Sequence, residues 1–247
     1  GKDIVGTFRA VRAEGGDLAG TGLSIGQVFG PGPEGAAAAL KFVSEQATGM
    51  GNAFFGAREE MKKMGGAFVA YTKGLGLSGE QTGALARAAK VAGKSLESML
   101  QETSNYALQM GKAFGMSGKQ IAQDMADMTK DVATFGTLAP KELAQISVYA
   151  RKLGIDIKAL TGVIDKFDNF EDAAKSASML AQSFGMNVDA MAMMNEQDPA
   201  KRIDMLKKSF DDTGKSVEDL SRAELKLLAS QMGLSEEAAK AALSGDA

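Results

Sequence analysis

Apolar residues recur along most of this chain at intervals of three and four, the period of a helix that buries one face. Between Ile121 and Phe135 the steps alternate between four and three, and similar spacing returns after Pro140 and after Asp198. No segment alternates apolar and polar residues over a useful length, so strands are not expected. The pattern predicts an all-α fold: a multi-helix bundle of short capped helices and helical hairpins.

The residues that share one side of each predicted helix are expected to face the core. By segment they are Leu96, Met99, Leu100, Ala107, Met110 and Phe114; Ile121, Met125, Met128, Val132 and Phe135; Leu143, Ile146, Ala150 and Leu153; Phe170, Ala174, Ala177, Leu180, Ala181 and Phe184; and Ile203, Leu206 and Phe210. Pro140 and Pro199 suit the first turn of a helix, and Asp198 suits the N-cap before it.

A second pattern marks where helices end and begin: an apolar residue, glycine, an apolar residue, and then Ser, Asp or Asn. The copies are Leu75–Ser78, Phe114–Ser117, Leu153–Asp156, Phe184–Asn187 and Met232–Ser235, and their glycines are separated by 39, 39, 31 and 48 residues. Each copy predicts a left-handed glycine that ends one helix and a polar N-cap for the next. The equal first spacings would also suit a helical-hairpin solenoid, but the later ones break the series, which favours a compact bundle.

Three regions differ in composition. Residues 1–35 are rich in glycine and predict a linker or extended segment, because glycine loses much entropy on ordering and adds nothing to a core. Residues 36–74 form an Ala/Gly-rich helical segment, either two short helices or one kinked helix. Residues 75–247 form the helical module.

Composition narrows the available chemistry. The 247 residues include no Cys and no His, which removes disulfides, thiolate metal sites and the usual general base. A net charge of -3 provides no basic field for a phosphate backbone, so specific nucleic-acid binding is not expected. The opening Gly1-Lys2-Asp3 lacks the features of a signal peptide, and the missing initiator Met indicates a fragment or a processed chain.

Several motifs have both a chemical and a structural interpretation, and the structural one is favoured for each. Gly93-Lys94-Ser95 and Gly214-Lys215-Ser216 resemble the end of a phosphate-binding loop but lack its earlier glycine, and they predict a helix-ending Gly followed by a Ser N-cap. The acidic run Asp165, Asp168, Glu171 and Asp172 lacks EF-hand spacing and predicts a helix junction with Phe167 and Phe170 facing inward.

The remaining candidates are carboxylate pairs and methionines. Glu59 with Glu60, or Glu97 with Glu102, would suit a glycosidase only inside an apolar pocket, and solvated helix faces are favoured. The cluster of Met191, Met193 and Met194 suits core filling or an adaptable partner surface. No catalytic, cofactor-binding or metal-binding residue is predicted, and no cofactor is expected.

Four phrases carry a resemblance to a known family. They are Val148–Ile155, Phe167–Ala174, Leu180–Gly185 and Met194–Arg202, and the stretch that contains them, from about Leu75 to Leu234, resembles the tail tape measure proteins of long-tailed bacteriophages. The phrases are mainly helix junctions, and they include no functional site to transfer.

The resemblance implies a non-enzymatic structural protein of the virion, located inside the tail tube and, during assembly, in the bacterial cytoplasm. Proteins of this family set tail length, contact tail tube and baseplate hub proteins in several copies, and leave ahead of the genome, with possible host membrane contact. An uninterrupted helix gains about 1.5 Å of length per residue, but the Gly turns here predict a folded module instead of a rod. The alternatives are a muramidase-like, peptidoglycan-cleaving domain of a tail protein and a cytosolic helical-repeat scaffold.

Overall fold

A computed structural model describes residues 17–18, 23–24, 29–30, 32–136 and 138–244 of the chain. The fold is all-α, as the apolar periodicity predicts. Contacts between Cα atoms divide the chain into two compact units, Gly1–Ala144 and Gln145–Ala247. None of the helices described is both long enough and apolar enough to cross a membrane.

The first unit contains two short strands and a series of helices. Their bounds are β1 Asp17–Leu18, β2 Leu23–Ser24, α1 Gly32–Met50, α2 Asn52–Met64, α3 Gly66–Gly74, α4 Gly79–Val91, α5 Leu96–Phe114, α6 Gly118–Met128 and α7 Val132–Phe135. Helix α8, Pro140–Leu153, begins in this unit and ends in the second one.

The second unit continues with shorter helices. Their bounds are α9 Ile157–Lys166, α10 Phe170–Phe184, α11 Ala190–Asn195, α12 Pro199–Asp211, a 3-10 helix Val217–Asp219, α13 Arg222–Met232 and α14 Glu236–Ser244. Helix α9 packs against α10, α12 and α13, and α14 packs against α12 and α13. Phe167, Leu180 and Phe210 are almost completely buried in this core.

Helix α4 organises the first unit, since it packs against α1, α2, α5 and α6. A buried glutamine, Gln46, joins α1 to the start of α4. Its Nε2 donates to the Leu77 carbonyl over 2.8 Å, and its Oε1 accepts from the Thr82 hydroxyl over 2.8 Å. Both polar ends of the amide are therefore satisfied inside the core, which is the condition for burying it without a large cost.

The N-terminal part departs from the sequence-based expectations in two places. Residues 36–74 form three helical pieces, not two helices or one kinked helix, because the chain breaks at Gly51 and Gly65, both with positive φ. The paired residues Asp17–Ser24 and Leu18–Leu23 form a short antiparallel ladder. Strands of two residues are too short to show a period-two pattern, so the sequence could not reveal them.

The rest of the predicted Gly-rich segment can be compared with the structure at only a few residues. Residues 1–16, 19–22, 25–28 and 31 lie outside the described residues, so the extended segment predicted over 1–35 stays a prediction there. Helix α1 already begins at Gly32, inside that segment. The division into 1–35, 36–74 and 75–247 also stays a prediction.

The glycines of the recurring helix-turn pattern behave as predicted. Their φ angles lie between 67° and 79° at Gly76, Gly115, Gly154, Gly185 and Gly233. The amide after each glycine bonds back across the last helical turn, as Leu234 does to the Ala229 carbonyl over 2.9 Å. These are the bonds that satisfy the last carbonyls of a helix.

The N-caps agree with the prediction at four of the five copies. Ser78, Ser117, Asp156 and Ser235 each accept a backbone N–H of the helix that follows. Asn187 was predicted as the fifth cap, and this is wrong, because α11 begins later and Asp189 caps it. Asp189 Oδ1 accepts from the amides of Met191 and Ala192 over 2.9 and 3.0 Å.

The cap assignment is testable with two substitutions in the same loop. Asp189→Ala is expected to lower the free energy of unfolding by about 1 kcal/mol, because two amides of α11 lose their acceptor. Asn187→Ala, which removes an exposed side chain two residues earlier, is expected to change it by less than about 0.5 kcal/mol. Urea denaturation of both variants measures the difference, and equal losses would contradict the assignment.

Most residues predicted to face inward are buried, but four are exposed: Phe114, Val132, Phe170 and Ala181. Val132 is the first residue of a separate helix, α7, which follows a turn. The spacing of apolar residues that starts at Ile121 in α6 therefore does not predict which way Val132 faces. In α10 the buried face comprises Ala173, Ser176, Ala177, Leu180 and Phe184, which leaves Phe170 and Ala181 outside it.

Candidate functional site

Of the four carboxylates considered from the sequence, Glu60 and Glu102 contact neighbouring elements of the first unit. Glu60 Oε2 accepts the backbone N–H of Leu96 over 2.6 Å, so a side chain of α2 caps α5. Glu102 forms an ion pair with Lys94 at 2.8 Å, and Glu97 is exposed in the first turn of α5. Glu59 forms an ion pair over 3.2 Å with Arg58, the residue before it in α2.

A cavity of about 440 Å³ lies between α2, the end of α4 and the start of α5. Its lining includes Glu60 together with the cations Arg87, Lys90 and Lys94. A glycosidase of the usual type needs two carboxyl groups on either side of the scissile bond. Glu60 is the one carboxylate among the described residues that line this cavity, so it has no second carboxyl group there with which to form a catalytic pair.

Both Gly-Lys-Ser motifs form helix-ending turns, as predicted. Gly93 and Gly214 have φ of 65° and 70°. Ser95 Oγ accepts from the amide of Ser98 at the start of α5, and Ser216 Oγ accepts from the amide of Glu218 in the 3-10 helix. The backbone of each motif is therefore part of a junction between helices.

The acidic run lies at the turn between α9 and α10. Asn169 caps α10, since its Oδ1 accepts from the amide of Asp172 over 2.9 Å. Phe167 is fully buried, as predicted, whereas Phe170 is 60% exposed and its predicted inward orientation is wrong. Within the described residues no group of three or more acidic side chains is arranged to hold a metal ion.

Several hydrogen bonds of the second unit lie in the segment Met194–Arg202. Glu196 Oε1 accepts from the amide of Asp198, and Asp198 Oδ1 accepts from the amide of Ala200, both over 2.9 Å. Pro199 occupies the first turn of α12, where its missing N–H costs nothing. The carboxylates of Glu196 and Asp198 thus both bond to backbone amides of this turn.

Arg202 closes this turn from inside the core, where it is 2% exposed. Its Nε donates to the Glu196 carbonyl over 2.7 Å, Nη1 to the Ile164 carbonyl over 3.1 Å, and Nη2 to the Met194 carbonyl over 3.3 Å. Burial lowers the pKa of Arg202, and the nearby carboxylates of Asp168 and Glu196 oppose that shift. One guanidinium thus joins the ends of α9 and α11 to α12.

A second side-chain contact links α8 to α12. Tyr149 Oη donates to Asp204 Oδ1 over 2.6 Å. Burial, and then the hydrogen bond to Asp204, raises the pKa of Tyr149 above its ordinary value. Burial also raises the pKa of Asp198, against the amide of Ala200 that stabilises its charged form. Tyr149 thus joins α8 to α12, and Asp198 caps α12.

The methionine cluster of α11 is divided between core and surface. Met193 is completely buried, Met194 is half-buried and Met191 is 51% exposed. A cavity of about 250 Å³ adjoins Met193, and Asp189, Ser209 and Asp212 are among its lining residues. Asp189 already caps α11, so its carboxylate is engaged with the backbone.

The first unit also contains an apolar cavity of about 310 Å³ between α4, α5, α7 and the start of α8. Val91, Met99, Val132, Phe135, Leu138 and Leu143 are among its lining residues. Of these lining residues, Val91 and Val132 are 73% and 50% exposed. Lys94 is the one charged residue in the described lining.

Comparison with known proteins identifies no relative. No protein-family model matches the chain, and no similarity to a curated protein or to a solved structure was found.

Proposed function

We propose that the chain is a non-enzymatic helical module of a bacteriophage tail tape measure protein. It acts inside the tail tube or at the baseplate hub, in several copies, and contributes to tail assembly, length determination and genome ejection. Its partners are tail tube proteins, hub proteins and sister copies, and it contacts the host membrane as the tape measure leaves the tube.

The observation that carries the proposal is what the polar side chains bond to in the segments that resemble tape measure proteins. Tyr149, Asn169, Asp198 and Arg202 each bond to a neighbouring helix or cap one, and none of the four lines the three cavities described above. Polar side chains that bond to the backbone or to a neighbouring helix stabilise helix packing, and this is the role that a non-enzymatic structural module requires.

The short helices also support a module that can unfold during ejection. The α-helices that lie wholly within the second unit are between 6 and 15 residues long. Helices of this length are marginal alone and depend on tertiary packing. Loss of a few packing contacts would therefore release the chain for passage along the tube.

A deletion within the phage gene tests this proposal. Removing residues 32–244 in frame would shorten the tail by about 320 Å if they formed a continuous helix. We expect a much smaller change in tail length, because the helices are folded against one another, together with peptides of the intact chain in purified tails. Electron microscopy gives the lengths and mass spectrometry the composition.

Two outcomes would reject the proposal. The first is the absence of the chain from purified tails, and the second is unchanged tail assembly when the whole parent gene is removed. A shortening near the full helical length would instead retain the tail assignment and reject the folded module.

A further inference from the structure

The cavity between α2, α4 and α5 has a lining that is mainly positive. Its volume of about 440 Å³ falls within the range of pockets that hold small molecules. Arg87, Lys90 and Lys94 line it together with one carboxylate among the described residues, that of Glu60. We call it the cationic cavity. The net charge of the whole chain is -3, so this positive charge is local, and a local excess of this kind attracts anions.

Two of the lining cations are available to a ligand. Arg87 and Lys90 are exposed, and neither forms an ion pair with a residue that the structure describes. They lie three positions apart in α4, so they are neighbours on the surface of that helix. Lys94 differs, because its Nζ pairs with Glu102 at 2.8 Å. The unpaired positive charge of the cavity therefore belongs to Arg87 and Lys90.

The carboxylates of the neighbouring helices have other partners or lie outside the lining. Glu60 Oε2 accepts from the amide of Leu96 over 2.6 Å, which places its charge at the positive N-terminal end of α5. Glu59 pairs with Arg58, and Glu97, in the first turn of α5, is not among the described lining residues. Within the part of the chain described, the two unpaired cations of α4 thus have no carboxylate at ion-pairing distance.

The cationic cavity also has an apolar lining made mostly of small side chains. Ala53 and Ala57 line it from α2, Ala86 and Ala89 from α4, and Leu96 from α5. A flat or narrow organic group can lie against such a surface, where it gains dispersion contacts and removes apolar area from water. A bare inorganic anion would leave this surface uncovered. The lining therefore favours an anionic group that is attached to an organic body.

We propose that the cationic cavity binds a small organic phosphate monoester, with Arg87 and Lys90 holding the phosphate and the apolar lining covering the organic group. A phosphate monoester carries a charge of about -1.5 to -2 at pH 7, which matches two unpaired cations better than the single charge of a carboxylate does. The planar guanidinium of Arg87 can donate two parallel hydrogen bonds to phosphate oxygens. Lys90 adds a second positive charge from the same helix.

Isothermal titration calorimetry of the purified full chain with phenyl phosphate tests the proposal. We expect saturable binding, with the dissociation constant raised at least about fivefold by Arg87→Gln, because charge-assisted hydrogen bonds are lost. Lys90→Gln is expected to act in the same direction, and the double variant to abolish binding. Lys112→Gln is the matched control, since Lys112 is an exposed lysine of α5 outside the described lining. Circular dichroism checks that each variant is folded.

Two further variants distinguish a role in binding from a structural one. Glu60→Gln keeps an oxygen that can accept from the amide of Leu96 but removes the negative charge from the lining. It is therefore expected to lower the dissociation constant about twofold or more, the opposite of a loss of structure. Arg87→Lys keeps the positive charge and loses the planar fork, so it is expected to restore only part of the affinity that Arg87→Gln loses.

Two other probes separate the parts of the ligand. Inorganic phosphate has the charge without the ring, and benzoate has the ring with a single negative charge. Both are expected to bind more weakly than phenyl phosphate, because each lacks one of the two groups that the cavity contacts.

Any of four results would overturn the inference: no saturable binding of phenyl phosphate, a loss of affinity in Arg87→Gln no larger than that in Lys112→Gln, or equal affinity for either inorganic phosphate or benzoate. The inference does not rest on the proposed tail function. Binding by a chain that is absent from purified tails would reject the tail function alone, and incorporation into tails without binding would reject this site alone.

Discussion

Replacing Gly162 with alanine is expected to lower the free energy of unfolding of the second unit by about 3 kcal/mol. Gly162 lies in α9, and its Cα faces the turn that joins α13 to α14. A methyl group at Gly162 would collide with the carbonyl oxygen of Gly233, and one at Gly233 would collide with the carbonyl oxygen of Gly162. Both obstacles are backbone atoms, so no side-chain rotation relieves them.

The control for this substitution is Gly56→Ala. Gly56 also lies within a helix, α2, but a methyl group there would meet no atom within 4 Å. Because alanine is the better helix former, this variant is expected to gain up to about 1 kcal/mol. Denaturant titration measures both changes, and hydrogen exchange should locate the loss of protection caused by Gly162→Ala within residues 145–244. Equal stability of the two variants would contradict the close approach.

Replacing Arg202 with methionine is expected to cost about 3 kcal/mol or more, because three backbone carbonyls lose their donor together. Methionine retains an unbranched chain of similar length, so the variant reports lost hydrogen bonds more than a cavity. Arg202→Lys is expected to restore only part of the stability, since an ammonium cannot reproduce the planar fork that reaches Ile164, Met194 and Glu196.

Lys201→Met provides the matched control, because Lys201 precedes Arg202 in the same helix and is exposed. Its replacement is expected to change the free energy of unfolding by less than about 0.5 kcal/mol. Urea denaturation at neutral pH compares the three variants with the parent chain. A loss for Arg202→Met no larger than that for Lys201→Met would show that the guanidinium does not hold the junction.

Helix ends were the most predictable feature of this protein. The left-handed glycine, the apolar residue after it and the polar N-cap all act within a few residues of one another, so their chemistry can be recognised without the rest of the fold. Asn187 shows the limit of that approach. Both Asn187 and Asp189 can cap a helix, and the start of α11 decided between them.

Arg202 and Phe170 show what local patterns miss. Arg202 resembles any exposed helix cation in the sequence, and only its approach to the end of α9, thirty-eight positions earlier, makes it a core residue. Phe170 fits the apolar period of α10, yet the helix is rotated so that this side chain remains outside. The polarity of a residue gives no information about the partner that another part of the chain will supply.

The sequence by itself determined the helical class, the turns between helices and most of the buried faces, because these depend on contacts within one or two helical turns. Tertiary structure alone decided that Gly162 meets Gly233, that Arg202 joins three helix ends, and that an apolar cavity opens beside Val91 and Val132. These features require residues far apart in the chain to meet, and pairings of that kind depend on how whole helices pack.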